Sequence, residues 1–210
     1  MYLPKHFESP DRALTLEVMR THKFATLTSV DAEGAPFVTH LPVALTEEGD
    51  DLVLHFHTAK ANPHAAMLRE KRASMVAFLG PHAYMSPSVY ADLRRVPTWN
   101  YIAVHVYGKI RIIENEELLA SLKSLVHKYE KNSAKPVSVE GMSEKYVMEQ
   151  MRGIVGMEIT ISKMEAAYKL SQNRDEKNHA NIVSELENRG DENSVEIANQ
   201  MRKYGVEKKQ

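Results

Sequence analysis

The segment Phe56 to His64 brings a hydroxyl, an ammonium group and a helix start together in one short stretch. Thr58 carries the hydroxyl, Lys60 carries the ammonium group, and Asn62-Pro63 is typical of a helix cap followed by the first helical residue. Free backbone amides at a helix start attract anions, and a nearby ammonium group adds charge. The segment therefore predicts a phosphate site. The alternative is structural, with Asn62 or Thr58 only capping the helix and Lys60 solvated.

Three histidines are candidates for a metal site. His55 and His57 are two residues apart on a predicted strand and so share a face, while His40 lies on the neighbouring predicted strand. Imidazoles in such a group can bind zinc, copper or iron. Because no carboxylate is evidently placed to complete or orient the group, we predict no metal site. We interpret these histidines as polar residues of a strand face, with His40 as a candidate ligand contact.

The only tryptophan of the chain, Trp99, lies in the segment Val96-Pro97-Thr98-Trp99-Asn100-Tyr101. A lone tryptophan is commonly a core anchor because its large area dominates burial. Trp99 also adjoins a strand face of aromatic and polar residues, against which a planar ligand could lie. Both interpretations stay open.

The preceding segment, residues 80–98, is rich in proline and is predicted to be mostly loop. It lacks the G-x-S-x-G pattern of a serine hydrolase.

Alternating and helical patterns divide the chain into strands and helices that must position these residues. The strands are predicted at Phe24–Val30, Phe37–Leu45, Asp51–Thr58, Ala73–Leu79, Tyr101–Ile113 and Ile154–Ser162. Neither the alternation of strands and helices typical of a parallel sheet nor a glycine-rich phosphate loop is present. We therefore predict a mainly β, α+β fold: an antiparallel barrel or sheet decorated with helices. Its domain would comprise residues 1–170, followed by a helical extension at residues 171–210.

Composition excludes several classes of protein. The 210 residues include 27 Lys and Arg against 28 Asp and Glu. The resulting net charge of −1 produces no overall positive electrostatic potential that would attract nucleic acid or anionic lipid. Because cysteine is absent, disulfides, iron–sulfur clusters and a cysteine nucleophile are excluded. The chain shows neither the apolar run of a signal peptide nor that of a membrane helix, so we expect a cytoplasmic protein without membrane contact.

Several motifs, taken in order along the chain, resemble one known family. They are Met1-Tyr2-Leu3-Pro4 with Phe7, Thr39-His40-Leu41-Pro42, the run from Thr58 to Pro63, Gly80-Pro81-His82-Ala83-Tyr84-Met85-Ser86-Pro87, Val96-Pro97-Thr98-Trp99-Asn100-Tyr101, Val104-His105-Val106-Tyr107-Gly108 and Lys169-Leu170-Ser171-Gln172-Asn173-Arg174. Together they cover nearly the whole chain and resemble the PaiB-like family of FMN-binding negative transcriptional regulators. The resemblance implies a six-stranded antiparallel split β-barrel of the pyridoxamine-phosphate-oxidase type. It also implies a homodimer with flavin at the subunit interface.

The same resemblance implies where FMN would bind. Thr58, Lys60 and Asn62 would lie near its phosphate, and Thr39 and His40 beside its isoalloxazine ring. The complete set predicted to bind the cofactor is Thr39, His40, His57, Thr58, Lys60, Asn62, Trp99, Asn100 and Arg174, the last as a second phosphate or interface group. Family members often carry arginine at the position of Lys60. Lysine keeps the charge but lacks the bidentate fork, so we expect weaker FMN binding.

Three functions remain open on the sequence. The resemblance implies a bacterial, cytoplasmic regulator that represses sporulation and degradative-enzyme genes. An FMN-dependent oxidoreductase acting on a small molecule is the alternative, because one fold hosts both binders and enzymes; no catalytic set stands out. Direct binding to DNA is disfavoured by the charge balance and by the lack of a recognition helix, so a regulatory protein or a metabolite is the expected partner.

Overall fold

The computed structural model describes residues 1–9, 11–70, 74–91 and 96–206. The helices in this part are α1 (Arg12–Thr21), α2 (Pro63–Arg69), α3 (Asn115–Glu130), α4 (Glu144–Arg152), α5 (Glu176–Arg189) and α6 (Glu192–Tyr204), with short 3-10 turns at Lys5–Phe7, Pro87–Val89 and Val139–Gly141. The strands are β1 (Phe24–Val30), β2 (Pro36–Pro42), β3 (Ala44–Glu48), β4 (Asp51–Ala59), β5 (Ser74–Met85), β6 (Thr98–Ile113) and β7 (Ile154–Lys169). This content confirms the predicted mainly β, α+β class.

The strands form one sheet in the order β2-β1-β5-β6-β7-β4-β3. The ladders of β1 with β2, β1 with β5, β3 with β4, and β4 with β7 are all antiparallel. The predicted number of six strands is wrong: the sheet has seven and is not closed.

The seventh strand arises from a break in the segment predicted as Phe37–Leu45. Its first part pairs with β1 and its second part with β4. Between them, the amide of Val43 donates to the carbonyl of Lys23 at 2.8 Å. The proline before it, Pro42, has no amide hydrogen to continue a ladder, so the strand ends there.

Two other strands are longer than predicted. Residues 80–85, predicted as loop, belong to β5; the alternation of burial shifts by one residue at Gly80 and Pro81, which are both buried, and then resumes. The strand β7 continues to Lys169, well beyond the predicted Ser162. Glycine and proline are typical of loops, but here they lie within a paired strand. The predicted first residue of β5, Ala73, and residues 92–95 of the predicted loop lie outside the described residues.

The chain divides into two compact units. Unit 1 comprises Met1–His22, Phe78–His105 and Glu165–Gln210, and unit 2 comprises Lys23–Ala77 and Val106–Met164. The largest fully buried side chains of unit 1 are Met19, Phe78, Met85, Ile102, Tyr168 and Leu170, and those of unit 2 are Leu27, Leu54, Leu68, Ile113, Met157 and Ile159. The helices α5 and α6, which follow the predicted boundary at residue 170, belong to unit 1 together with α1. The boundary itself stays a prediction.

Side-chain caps mark the start of several helices. The side chain of Asp11 accepts from the amide of Ala13 at the start of α1, and Ser143, Asp175 and Asp191 cap α4, α5 and α6 in the same way. Within the described residues, none of the helices has both the length and the apolar character needed to cross a bilayer.

Candidate functional site

The end of β4, in unit 2, carries two of the predicted phosphate ligands. Thr58 is 5% exposed, and its hydroxyl has no hydrogen-bond partner among the described residues. Lys60, just after the strand, is exposed, and its amide donates to the carbonyl of Gly153 at 2.8 Å. That bond continues the pairing of β4 with β7, in which Thr58 lies opposite Val155. An ammonium group and an unused hydroxyl are therefore held near one strand end.

The backbone amides expected to help bind a phosphate are already in use. At the start of α2, Pro63 has no amide hydrogen, the amide of His64 donates to Asn62 Oδ1 at 3.0 Å, and that of Ala65 donates to the Asn62 carbonyl at 2.9 Å. The prediction of free helix-start amides is wrong, because Asn62 caps the helix and satisfies them. Any phosphate ligand here must be bound by side chains.

A small polar cluster joins β2 to α2. The hydroxyl of Thr39 lies 2.6 Å from His64 Nδ1 and accepts from Asn62 Nδ2 at 3.2 Å. His64 is 0% exposed, and Phe37 packs its ring edge-on against it with centroids 4.7 Å apart. Burial lowers the pKa of His64, so the imidazole is neutral near pH 7. This cluster brings the predicted residues Thr39 and Asn62 together.

His64 also carries a polar atom without a partner, and the sequence interpretation did not select it. Its Nε2 is buried and forms no hydrogen bond with the described residues. The residue lies within the segment that predicted the phosphate site, directly after the Asn62-Pro63 helix start. Its position in this segment was visible in the sequence, but the burial that leaves Nε2 unpaired was not.

His40 and His57 lie apart from this cluster. His40 is exposed; its Nδ1 is 3.1 Å from the Thr26 hydroxyl, and its ring stacks on Phe24 at 6.4 Å. His57 is half-buried and lines a cavity of about 430 Å³ between β4 and α3. Because neighbouring strand residues point to opposite faces, His57 and Thr58 cannot both face one ligand group at this strand. Burial lowers the pKa of His57.

A second cavity lies beside Lys60 and has a volume of about 390 Å³. Its walls combine apolar side chains with three cations and two carboxylates, and one of these cations, Arg69, is paired with Glu114 at 2.9 Å. The residues lining it are Lys60, Arg69, Ile113, Glu114, Asn115, Glu116, Leu118, Leu119, Met148, Met151, Arg152, Ile154 and Val155. An apolar space with cations at its border suits a flat apolar ring that carries an anionic group.

The premise that no carboxylate lies near the histidines is wrong. His55 Nε2 lies 3.0 Å from Glu48, and its Nδ1 lies 3.3 Å from Glu158. Glu158 also accepts from Arg111 Nε at 2.9 Å. Although Glu48, His55 and Glu158 are close enough together to hold a metal ion, the imidazole bridges the two carboxylates and Arg111 already compensates one of them. The predicted absence of a metal site stays a prediction.

The other three predicted residues belong to unit 1. Trp99 is 51% exposed, with its ring 5.8 Å from that of Tyr84, so it is not a core anchor. Asn100 is 0% exposed; it accepts from the Ser171 hydroxyl at 3.0 Å, and its amide lies 3.4 Å from Met201 Sδ. These bonds hold Asn100 within the core of unit 1.

Arg174 lies before α5, where its guanidinium is 5.2 Å from the centre of the Tyr90 ring. Its Nε is buried without a partner among the described residues. Unlike Asn100, therefore, Arg174 retains donor capacity for a ligand.

Known proteins similar to this chain point to a flavin. Residues 1–163 match the family described as "Putative FMN-binding domain". The chain is 36% identical over 201 residues, 96% of each chain, to the Bacillus subtilis "Protease synthase and sporulation protein PAI 2". It is 31% identical over 207 residues to an uncharacterised protein of Emericella nidulans, covering 84% of this chain and 82% of that protein.

Two solved structures show that the fold is shared more widely. An FAD and heme binding protein from Mycobacterium smegmatis superposes with a TM-score of 0.57 at 15% identity, covering 77% of this chain and 73% of that one. A flavocytochrome from Azotobacter vinelandii superposes with a TM-score of 0.55 at 16% identity, covering 83% and 75% of the two chains. At such low identity, the likeness concerns the fold alone.

Proposed function

Because the chain belongs to the PaiB-like family of FMN-binding proteins, we propose that it is an FMN-binding regulator that represses sporulation and the synthesis of degradative enzymes. FMN is its cofactor. The regulatory role is supported by the name and the 36% identity of the Bacillus subtilis relative. With a net charge of −1, the protein is expected to act through another protein or a metabolite rather than through direct contact with DNA.

The observation that carries the site is the unpaired, buried hydroxyl of Thr58, two residues before the exposed Lys60 at the end of β4. A buried hydroxyl without a partner costs free energy, and a phosphate oxygen would satisfy it. In our proposal these two side chains bind the FMN phosphate. FMN, when bound, supplies an isoalloxazine ring capable of electron transfer.

The remaining predicted residues receive unequal support. Thr39 and Asn62 are joined to the buried His64, whose Nε2 has no partner among the described residues. We assign the neighbourhood of these side chains to the isoalloxazine ring. His40 and His57 lie apart from this cluster and are proposed as contacts from the resemblance alone. Trp99, Asn100 and Arg174 are proposed from the resemblance, and support is weakest for Asn100 because its amide is buried and bonded.

The assembly belongs to the same proposal. The family resemblance supports a cytoplasmic homodimer with FMN between the subunits. Sedimentation of the FMN-loaded protein measures the assembly: a dimer is expected, and a monomer that still binds FMN would contradict a site shared between subunits.

Titration of the apoprotein into FMN, followed by flavin fluorescence, tests the phosphate ligand. Lys60→Met should weaken binding by about 10- to 100-fold, because a charged hydrogen bond is lost, whereas Lys60→Arg should bind at least as well as the wild type. Lys131→Met removes an equally exposed charge at the end of α3 and should leave the affinity unchanged. Equal affinities for the wild type and Lys60→Met would remove Lys60 from the site.

A further inference from the structure

Two cationic residues of unit 1, Lys169 and Arg174, are five positions apart, and the chain turns between them where the Arg174 amide donates to the Ser171 carbonyl at 3.0 Å. Lys169 is the last residue of β7, and Arg174 precedes α5; both are half-buried. Burial, and then the positive charge of Arg174, lower the pKa of Lys169. In the part of the chain that the structure describes, no carboxylate forms an ion pair with either group.

Hydroxyl groups and aromatic rings surround this pair. The Lys169 ammonium donates to the Thr98 hydroxyl at 2.6 Å and lies 6.0 Å from the centre of the Tyr101 ring. Arg174 lies over the ring of Tyr90, which is only 5% exposed. Both the Tyr90 hydroxyl and Arg174 Nε are buried without a partner among the described residues. Two polar groups without a partner therefore accompany two cations that form no ion pair among the described residues.

The charges and hydroxyl groups of this arrangement suit one class of ligand. Bringing two like charges together in a partly buried place is unfavourable unless an anion compensates both. A phosphoryl group carries up to two negative charges and several acceptor oxygens, and it suits the fork of an arginine together with the ammonium group of a lysine. A carboxylate would neutralise only one of the two charges.

We propose that Lys169 and Arg174 form a binding site for a phosphoryl group, with the hydroxyls of Thr98 and Tyr90 as further donors. This site lies in unit 1 and is built from different residues than the Thr58–Lys60 site of unit 2. The phosphoryl group could belong to FMN itself or to another phosphorylated ligand, and the two sources are separable by experiment.

The first experiment uses inorganic phosphate as the probe. Calorimetric titrations are carried out in Lys60→Met protein, so that the Lys60 site does not contribute to binding. Relative to that background, adding Lys169→Met or Arg174→Gln should weaken phosphate binding by about 10- to 100-fold, while Lys169→Arg should retain it. Lys177→Met, which removes an exposed charge of α5, is the matched control and should change nothing. Thermal unfolding of each variant verifies that it is folded.

The second experiment identifies the source by titrating FMN into Lys169→Met and Arg174→Gln proteins that keep Lys60. A loss of FMN affinity would assign the pair to the FMN phosphate, and unchanged affinity together with phosphate binding would assign it to another phosphorylated ligand. If Lys60→Met alone leaves FMN affinity unchanged, the Thr58–Lys60 assignment fails while this site stands. The proposal is overturned if phosphate does not bind Lys60→Met protein, or if folded Lys169→Met and Arg174→Gln variants bind it as the Lys177→Met control does.

Discussion

At the scale of single residues, the informative atoms are those that the fold buries without a partner. In unit 2 these include Thr58 Oγ1 and His64 Nε2, which belong to the same chain segment. An unsatisfied buried polar group costs about 1–3 kcal/mol, and folded proteins satisfy nearly all such groups. A ligand that forms a hydrogen bond with such an atom removes this cost, so its binding free energy becomes more favourable.

Thr58→Val tests this account of the hydroxyl, because valine keeps the shape and removes the polar atom. The free energy of unfolding of the apoprotein should stay the same or rise by up to about 1–3 kcal/mol, while FMN affinity falls. Thr46→Val is the matched control: the Thr46 hydroxyl lies 2.7 Å from His55 Nε2, so its removal should destabilise the apoprotein. Urea unfolding and FMN titration measure the two effects. A loss of stability in Thr58→Val equal to that of Thr46→Val would indicate a structural role.

At the scale of elements, the register of β4 against β7 sets which side chains the site contains. Thr58 lies opposite Val155 and Ala59 opposite Ile154, and the ladder is extended by the bond from the Lys60 amide. A slip of one residue would turn the Thr58 side chain to the opposite face of the sheet. The close approach of Gly108 to β7 at Thr160 constrains the same strand from its other side.

Gly108→Ala should therefore disrupt the sheet. A Cβ at this position would overlap the backbone carbonyl of Thr160, which cannot move without shifting β7. We expect a loss of about 3 kcal/mol or more in the free energy of unfolding, measured by urea denaturation. At Gly153, the nearest atom to an added Cβ is the Gln150 carbonyl oxygen at 3.4 Å, so Gly153→Ala should change stability by less than about 0.5 kcal/mol. Similar losses in the two variants would contradict the close packing of β6 and β7.

At the scale of the whole molecule, buried histidines link stability to pH. Burial lowers the pKa of His22, His57, His64, His105 and His179 below 6.5. Since these imidazoles take up protons more readily in the unfolded chain, acid favours unfolding.

The free energy of unfolding should consequently be highest above pH 6.5 and fall as the pH drops below that value toward the lowered folded-state pKa values. Each such histidine contributes up to about 1.4 kcal/mol per pH unit within its window. Melting temperatures between pH 7.5 and 5.5 measure the effect, and His64→Asn should reduce the slope. A melting temperature that stays constant over this range would mean that these histidines are equally protonated in both states.

The chemistry near the end of β4 and the class of the fold follow from local patterns. The bounds of β1 were predicted correctly, and the helix start at Asn62-Pro63 was recognised. These features depend on alternation, capping and turn preferences, which act over a few neighbouring residues. The same local reasoning predicts a loop at residues 80–85. That prediction is wrong because pairing with a distant strand overrides the local preference.

Burial and the meeting of distant residues could not be derived in this way. The unpaired hydroxyl of Thr58, the enclosed ring of His64 and the core position of Asn100 each depend on segments far away in the chain that pack against them. So does the pairing of Lys169 with Thr98. A sequence states which groups a chain carries, but whether water, another side chain or nothing satisfies each group depends on long-range packing.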